Sequence, residues 1–343
     1  MTPDEERRVA AVHVPFADLA ELLRIILVRH GVGEENASII ADNCAACERD
    51  GTLSHGVFRI PGYLASLRSG WLDGNARAQV ERVGPSFLRV DARNGFAQTA
   101  LHTATPAIAS MAADSGMALV AMRGSHHFSA LWPDVEPFAE RGLVALTMIG
   151  GLRCVAMPGG RDPVFGTNPI AFATPVAGSR PLVMDFATST MSNGDLRLAA
   201  LAGVDVPPGT GIDRDAAPTA HPSEILDGGA LLPFGGHKGA GIMLMVEVLA
   251  AALTAGLFSH EVDFSTHPGA ETPSTGQMLL VIDPTRGGNT AFAMRVMQLV
   301  EVVRASGEVR LPSDRRYLVR ALAEEHGIPI TLDRMAELRS LAA

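Results

Sequence analysis

Apolar residues recur at helical spacing through the N-terminal part of the chain. Phe16, Leu19, Leu22, Leu23, Ile26 and Leu27 form one stripe that stops at His30-Gly31. The same spacing predicts a second helix over about 34–49 and a third over 57–68, with Pro61 near its start. Gly70-Trp71-Leu72-Asp73-Gly74-Asn75 is turn material and marks a first domain boundary. Leu88-Arg89-Val90-Asp91 reads as a short strand. Residues 97–115 read as a helix that Pro106 should kink or restart.

The clearest supersecondary pattern follows. Residues 117–122 are an apolar run of strand length, 123–130 a polar loop, 132–141 a helical stretch and 143–149 a second apolar run. That order resembles a βαβ unit, whose loop at a strand's carboxyl end is a usual place for ligand contacts. Gly166-Thr167-Asn168-Pro169 is a turn between extended pieces, 181–186 a strand carrying Asp185, and 188–201 a helix after a Ser/Thr cap. Residues 202–236, rich in Pro and Gly, hold few regular patterns and are expected to form a long functional cover. An apolar helix over 237–256, a strand at 278–283, a helix at 290–305 and a terminal helix at 315–326 complete the pattern.

Composition narrows the class. A chain of 343 residues can bury a large core in two or three lobes. Aromatic residues are 5% of the chain, which argues against a base-stacking platform, and a net charge of −9 argues against a nucleic-acid partner. No apolar run reaches the ~18 residues of a membrane span. Met1 to Arg8 is charged, with no apolar signal region, so a soluble, cytoplasmic protein without membrane contact is expected. Cys44 and Cys47 sit in an amphipathic pattern, where packing explains them better than zinc or redox chemistry. Among the Lys and Arg residues only Lys238 is a lysine, which hints at a specific use for a compact ammonium.

Candidate chemistry concentrates in Gly51-Thr52-Leu53-Ser54-His55-Gly56-Val57-Phe58-Arg59. If the segment after Gly56 is helical, His55 and Arg59 stand four apart and point from one face. A group titrating near ~6.5 then lies beside a permanent, fork-shaped cation. Such a pair suits a small organic acid, its carboxylate clamped while a neighbouring atom exchanges a proton. A capping Ser with an exposed His and a surface Arg fits the spacing equally well. Gly235-Gly236-His237-Lys238-Gly239 before an apolar helix is a candidate anion seat, or a hinge with two exposed cations. Asp195, after Ser192-Asn193-Gly194, is ordinary turn material. The His126-His127 pair is a poor metal site, because adjacent side chains diverge, and no metal is expected. Neither G-x-G-x-x-G, G-x-x-x-x-G-K-[ST], H-E-x-x-H nor G-x-S-x-G occurs.

Taken in order, Ser54-His55-Gly56, Gly166-Thr167-Asn168-Pro169, Asp185-Phe186-Ala187-Thr188-Ser189 and His237-Lys238-Gly239 resemble the malate/L-lactate dehydrogenase family, which lacks a Rossmann fold. Within it, the stretches 125–140 and 226–239 look most like the Δ1-piperideine-2-carboxylate/Δ1-pyrroline-2-carboxylate reductases. Hydroxy-acid members usually carry Gly-His-Phe-Gly where this chain has His126-His127-Phe128-Ser129, and often a Lys near Asp195.

The resemblance implies an NADPH-linked reductase of cyclic imino acids, with NADH possible, acting as a homodimer. The implied fold is α/β: a non-Rossmann NAD(P)-binding domain with a largely antiparallel mixed sheet, plus a helical domain from both chain ends. Residues 1–75 with about 310–343 would form the helical domain, and 76–309 the NAD(P)-binding and substrate region. His55 would be the proton donor, Ser54 and Asp195 its relay, and Arg59 the carboxylate clamp. His127 is a rival acid that could also meet the substrate. Cofactor contacts would fall on His127, Phe128, Ser129, Ala130, Leu131, Thr167, Asp185, Phe186, Ala187, Thr188, His237 and Lys238, and more loosely on Arg310, Pro312, Ser313 and Asp314. Arg310, Arg315 and Arg316 are a candidate phosphate cluster. The alternative is an NAD(P)-dependent 2-hydroxy-acid dehydrogenase of malate, lactate, ureidoglycolate or sulfolactate type.

Overall fold

The computed structural model describes residues 10–343; the charged stretch Met1–Arg8 lies outside the described residues. The chain opens with β1 (Ala11–Val14), α1 (Phe16–Arg29), α2 (Glu34–Arg49) and α3 (Ile60–Arg68). Next come β2 (Gln79–Arg82), β3 (Phe87–Phe96), α4 (Ala97–Ser115), β4 (Met117–His126), α5 (Trp132–Glu140) and β5 (Val144–Ile149). Short strands β6 (Val155–Ala156) and β7 (Pro163–Phe165) precede β8 (Ile170–Thr174), β9 (Leu182–Phe186) and α6 (Asn193–Ala202). Then follow β10 (Gly211–Ile212), β11 (Pro218–Thr219), α7 (Pro222–Leu226), β12 (Ala230–Leu231) and α8 (His237–Val246). The chain closes with β13 (Ser274–Ile282), α9 (Phe292–Ala305), α10 (Asp314–His326), β14 (Ile328–Thr331) and α11 (Leu332–Ala342).

Seven strands form the main sheet in the order β2-β3-β4-β13-β5-β8-β9. Only β3 and β4 run parallel; every other neighbouring pair is antiparallel. This corrects the βαβ impression at 117–149. β4 and β5 point the same way, but β13 lies between them, with Met278 opposite both Ala121 and Met148. β13 is apolar along most of its length because it is flanked on both edges and covered on both faces. α4 packs on the sheet through Ala97, Ala100, Ala104 and Ala112, small residues that let helix and strands approach. It runs unbroken through Pro106, so the expected restart does not occur.

A helical layer is assembled from both chain ends. β1 pairs antiparallel with β14, Ala11 opposite Thr331 and Val14 opposite Ile328. α1, α2 and α3 then share one core with α11, through Leu19, Leu23, Ile40, Tyr63, Met335 and Leu338. The helix at Asp314–His326 is therefore not the last. Residues 202–236 are not structureless either: β10, β11 and β12 join β6 and β7 in a second, five-stranded sheet. Cys44 and Cys47 are free and buried, and burial pushes the Cys47 thiol up to about 12, as befits packing residues. Among the described residues no helix is long and apolar enough to cross a membrane.

One buried ion network ties the layers together. Asp50, just past α2, Glu136 on α5, and Arg316 and Arg320 on α10 meet in one place. Arg320 Nε reaches Asp50 Oδ1 at 3.0 Å, and Arg316 Nη1 reaches Glu136 Oε2 at 2.8 Å. The Trp132 ring lies under both guanidiniums, at 4.2 Å and 5.3 Å. Burial alone would push the Glu136 carboxyl up, but Arg316 and Arg320 outweigh it and hold it below its ordinary value. Removing one partner strands a buried charge, so Asp50→Ala should cost about 3–5 kcal/mol in urea unfolding. Asp227→Ala, which breaks an exposed pair with Arg214, should leave the midpoint unchanged. Equal effects would remove the network from its role as the tie.

Candidate active site

Gly51 to Arg59 is not the start of one helix. Leu53–His55 and Val57–Arg59 are separate 3₁₀ turns, divided at Gly56, whose backbone sits at φ −89° and ψ −133°. The premise that His55 and Arg59 share one α-helical face is thereby corrected. Glu48, on the α2 beneath, accepts the Val57 N–H at 2.9 Å. A Cβ at Gly56 would fall 2.0 Å from Glu48 Oε2, so only glycine lets the turn lie on that carboxyl.

Ser54 Oγ and His55 Nδ1 are 2.9 Å apart. Burial, then the neighbouring charges of Arg59 and His127, hold the imidazole well below its ordinary value, so it is neutral in the free protein. Arg59 is 8% exposed. Its guanidinium lies 4.1 Å from the centre of the Phe128 ring, itself held edge-on by Tyr63. Among the described residues no carboxylate lies within ion-pair distance of Arg59, and its Nε has no hydrogen-bond partner. Burial pushes the guanidinium down to about 10, an effect that Tyr63 and Asp195 oppose and Arg197 reinforces. A buried cation without a counter-ion is costly, and the position makes sense if a ligand brings the anion.

A cavity of about 1000 Å³ opens beside His55, and Arg59 is not among the residues that line it. Ser54, His55 and Asp195 line it, as do Ser129, Ala130, Leu131, Thr167, Asp185, Phe186, Ala187, Arg310, Pro312 and Ser313. Asp195 shares the cavity, yet its carboxylate makes no hydrogen bond to Ser54 or His55, so the relay is not closed here. A Cβ at Gly194 would meet Arg59 Nη2 at 2.7 Å, which is how α6 begins so close to the turn.

Other expected residues stand outside the cavity walls. His127 is buried, its Nε2 2.9 Å from Asp134 Oδ2, which also accepts from Gln277. Phe128 serves as the platform for Arg59, and Thr188 donates to the Asn168 carbonyl at 2.8 Å. Asp314 accepts the Leu311 N–H and pairs with Arg304. His237 and Lys238 are exposed at the start of α8, after Gly235 and Gly236 in the left-handed region. Asp185 lines the cavity but is engaged: it accepts the Leu131 and Trp132 N–H groups, both at 2.8 Å. Sequence reasoning missed Glu48, for it looks like any helix-surface acid. It also missed Trp132 and Thr52, which line the cavity but carry no motif.

Burial pushes the Glu48 carboxyl up to about 7, against the Val57 N–H and Arg334, which pull it down. A raised acid pKa means this group's contribution to stability is full below its unfolded value near ~4.5 and is lost as pH rises through about 7. Glu48→Gln, fixed in the neutral form, should flatten the fall in melting temperature between pH 5 and 8. An unchanged slope would take Glu48 out of that role.

Comparison with known proteins bears on this geometry. The family model for malate/L-lactate dehydrogenase matches residues 14–339. The Δ1-pyrroline-2-carboxylate/Δ1-piperideine-2-carboxylate reductase of Pseudomonas syringae pv. tomato is 56% identical over 329 residues, 96% of each chain. Its counterpart from Pseudomonas putida is 52% identical, over 96% of this chain and 97% of that protein. The crystal structure of Δ1-piperideine-2-carboxylate reductase from Pseudomonas syringae superimposes with a TM-score of 0.94 at 55% identity, over 96% of this chain and 99% of that one. With a neutral imidazole lining a cavity of nucleotide size and an unpaired guanidinium buried against Phe128 nearby, this chain belongs to the malate/L-lactate dehydrogenase family.

Proposed function

We propose that this chain is an NADPH-dependent reductase of cyclic imino acids, converting Δ1-piperideine-2-carboxylate to L-pipecolate and Δ1-pyrroline-2-carboxylate to L-proline. The observation that carries the reading is Arg59, a buried cation lacking a carboxylate, beside His55. A 2-carboxylate on the substrate supplies the missing anion, and the guanidinium fork fixes which face of the ring is presented. Neutralising Arg59 also removes a charge that keeps His55 unprotonated, so the imidazole gains basicity once substrate is seated. His55 then holds a proton next to the imine nitrogen, with Ser54 fixing the ring through Nδ1.

The cavity suits a nicotinamide dinucleotide in its donors as well as its volume. Trp132 Nε1 and Arg316 Nη2, on residues that line it, are buried without partners. Arg310 and Arg315 line it and make no ion pair among the described residues, which suits phosphate and favours NADPH over NADH. When bound, the dihydronicotinamide supplies the hydride. Ser129 to Leu131 and Asp185 to Ala187 would form the walls that hold it.

We further propose that two copies of the chain assemble. Among the described residues nothing buries any residue of α9, and Met294, Leu299 and Val302 stand 47%, 63% and 68% exposed. Leu244, Met245 and Val248 on and after α8 are similarly bare. The partner would cover this surface and the neighbouring His237 and Lys238. The free cysteines suit a reducing compartment such as the cytoplasm.

A neutral His55 is also what a 2-hydroxy-acid dehydrogenase needs to accept a proton, which keeps that reading as the rival. Initial rates at 340 nm over cyclic imines with NADPH, against malate, lactate and sulfolactate with NADP+, separate the two; turnover of a hydroxy acid alone would overturn the imine assignment. His55→Ala should lower kcat by ~10²–10⁴ with NADPH binding unchanged. Arg59→Ala should chiefly raise the imine KM; a normal KM would sink the clamp. Val302→Arg should shift the elution of a dimer to that of a monomer in light scattering, and a wild type that is already monomeric would refute the assembly.

A further inference from the structure

A second cavity, of about 450 Å³, lies between α2, α4 and α5. Trp132 faces the large cavity, while its neighbours Pro133 and Asp134 line this one. Leu101, Pro106, Pro133 and Phe138 make its walls apolar. Gln98 lines it too, at 6% exposure, and neither the oxygen nor the nitrogen of its amide has a hydrogen-bond partner among the described residues. Leaving both atoms of a buried amide unpaired is costly, so the residue is explained if a ligand answers them. At the rim, Arg141 is exposed and forms no ion pair among the described residues.

We propose that this cavity is a second small-molecule site, built for a compact α-amino acid with an apolar side chain. Gln98 offers one acceptor and one donor side by side, which an amine and a carboxylate on one carbon answer together. The amine would meet Gln98 Oε1 near the Asp134 carboxylate, and the carboxylate would meet Gln98 Nε2 and Arg141. The apolar body would lie on the prolines and Phe138. A fatty acid or a simple amine satisfies only half of this set. The site communicates with the reaction site by a short path: Asp134 Oδ2 holds His127 Nε2 at 2.9 Å, and His127 is among the groups whose charge acts on His55. If the reading above holds, the chain's own products have this chemistry, so the cavity would sense product; only this last step rests on that reading.

The test uses the NADPH-loaded enzyme titrated calorimetrically with L-pipecolate, L-proline and L-leucine, together with initial rates at saturating imine. Wild type should bind the cyclic amino acid at two sites and Gln98→Met at one. Arg141→Ala should weaken the second site about tenfold. In wild type the amino acid should change kcat at least twofold at saturating imine, and in Gln98→Met it should not. Met keeps the size of Gln and removes both unpaired atoms, so its melting temperature should not fall; Arg141→Ala, at the surface, serves as the independent check. L-leucine binding at the same Gln98-dependent site would support a general apolar amino-acid sensor, and exclusion of leucine would support a product sensor. Equal stoichiometry and equal rates in wild type and Gln98→Met would overturn the proposal. An enzyme that turns over no imine yet still shows the Gln98-dependent site would fail the functional reading alone.

Discussion

A positive charge kept from water without a partner sets the terms for the active site. An isolated buried guanidinium costs several kcal/mol even after the surroundings relax. The protein softens this with the face of Phe128 against Arg59, and with the charge of Asp195 acting without an ion-pair contact. It also refuses side chains where they would disturb the arrangement. A Cβ at Gly62 would come 2.7 Å from Phe128 Cε1, and one at Gly194 would press on Arg59 itself. Those glycines are spaces reserved around the charge, not hinges.

Holding such a charge requires rigid walls, and both walls hang on the same ion network. Asp50 ends α2 and leads directly into Gly51 and the turn bearing His55. Glu136 belongs to α5, whose first turn carries Trp132 and is capped from outside by Asp185 on β9. Arg316 and Arg320 bring α10 onto both. The turn, the loop at 129–132 and the strand end at 185–187 are thereby fixed relative to one another before any ligand arrives. Loosening one corner would move His55 relative to the cavity wall, a displacement to which proton transfer is sensitive.

Local sequence carried the one-sided elements well. α1 and α2 were legible because each buries a single stripe, and the second half of β13 because Met278 to Ile282 is an unbroken apolar run, whereas its polar first half, Ser274 to Gln277, was not. β1 and β14 were not, since each has four residues and its partner lies at the opposite end of the chain. The break at Gly56 was equally hidden: its cause is the Glu48 carboxyl beneath it, a contact that spacing does not reveal. At the site, Ser54, His55, Asp195 and the runs 129–131 and 185–187 do share one cavity. His127 looked equally reactive, but Asp134 and Gln277 draw it into a buried network, and both partners are invisible to a reading of the loop alone. Lys238 faces outward at the start of α8, away from the cavity walls.

On the proposed reading, the unpaired charge also bears on which substrates can be processed. While Arg59 stands alone, its field and the burial of the ring keep His55 neutral, and no acid is ready. A ligand without a carboxylate leaves that field in place. A ligand with one would, on that reading, offset the field, which removes one of the causes that hold the imidazole neutral while its burial remains. On the proposed reading recognition and activation are coupled: the group that would bind the substrate carries one of the charges that, after burial, keep His55 neutral. The costly burial of Arg59 is, on that reading, tolerated for what it does in the loaded site, where a substrate carboxylate would both pair the guanidinium and favour a protonated His55.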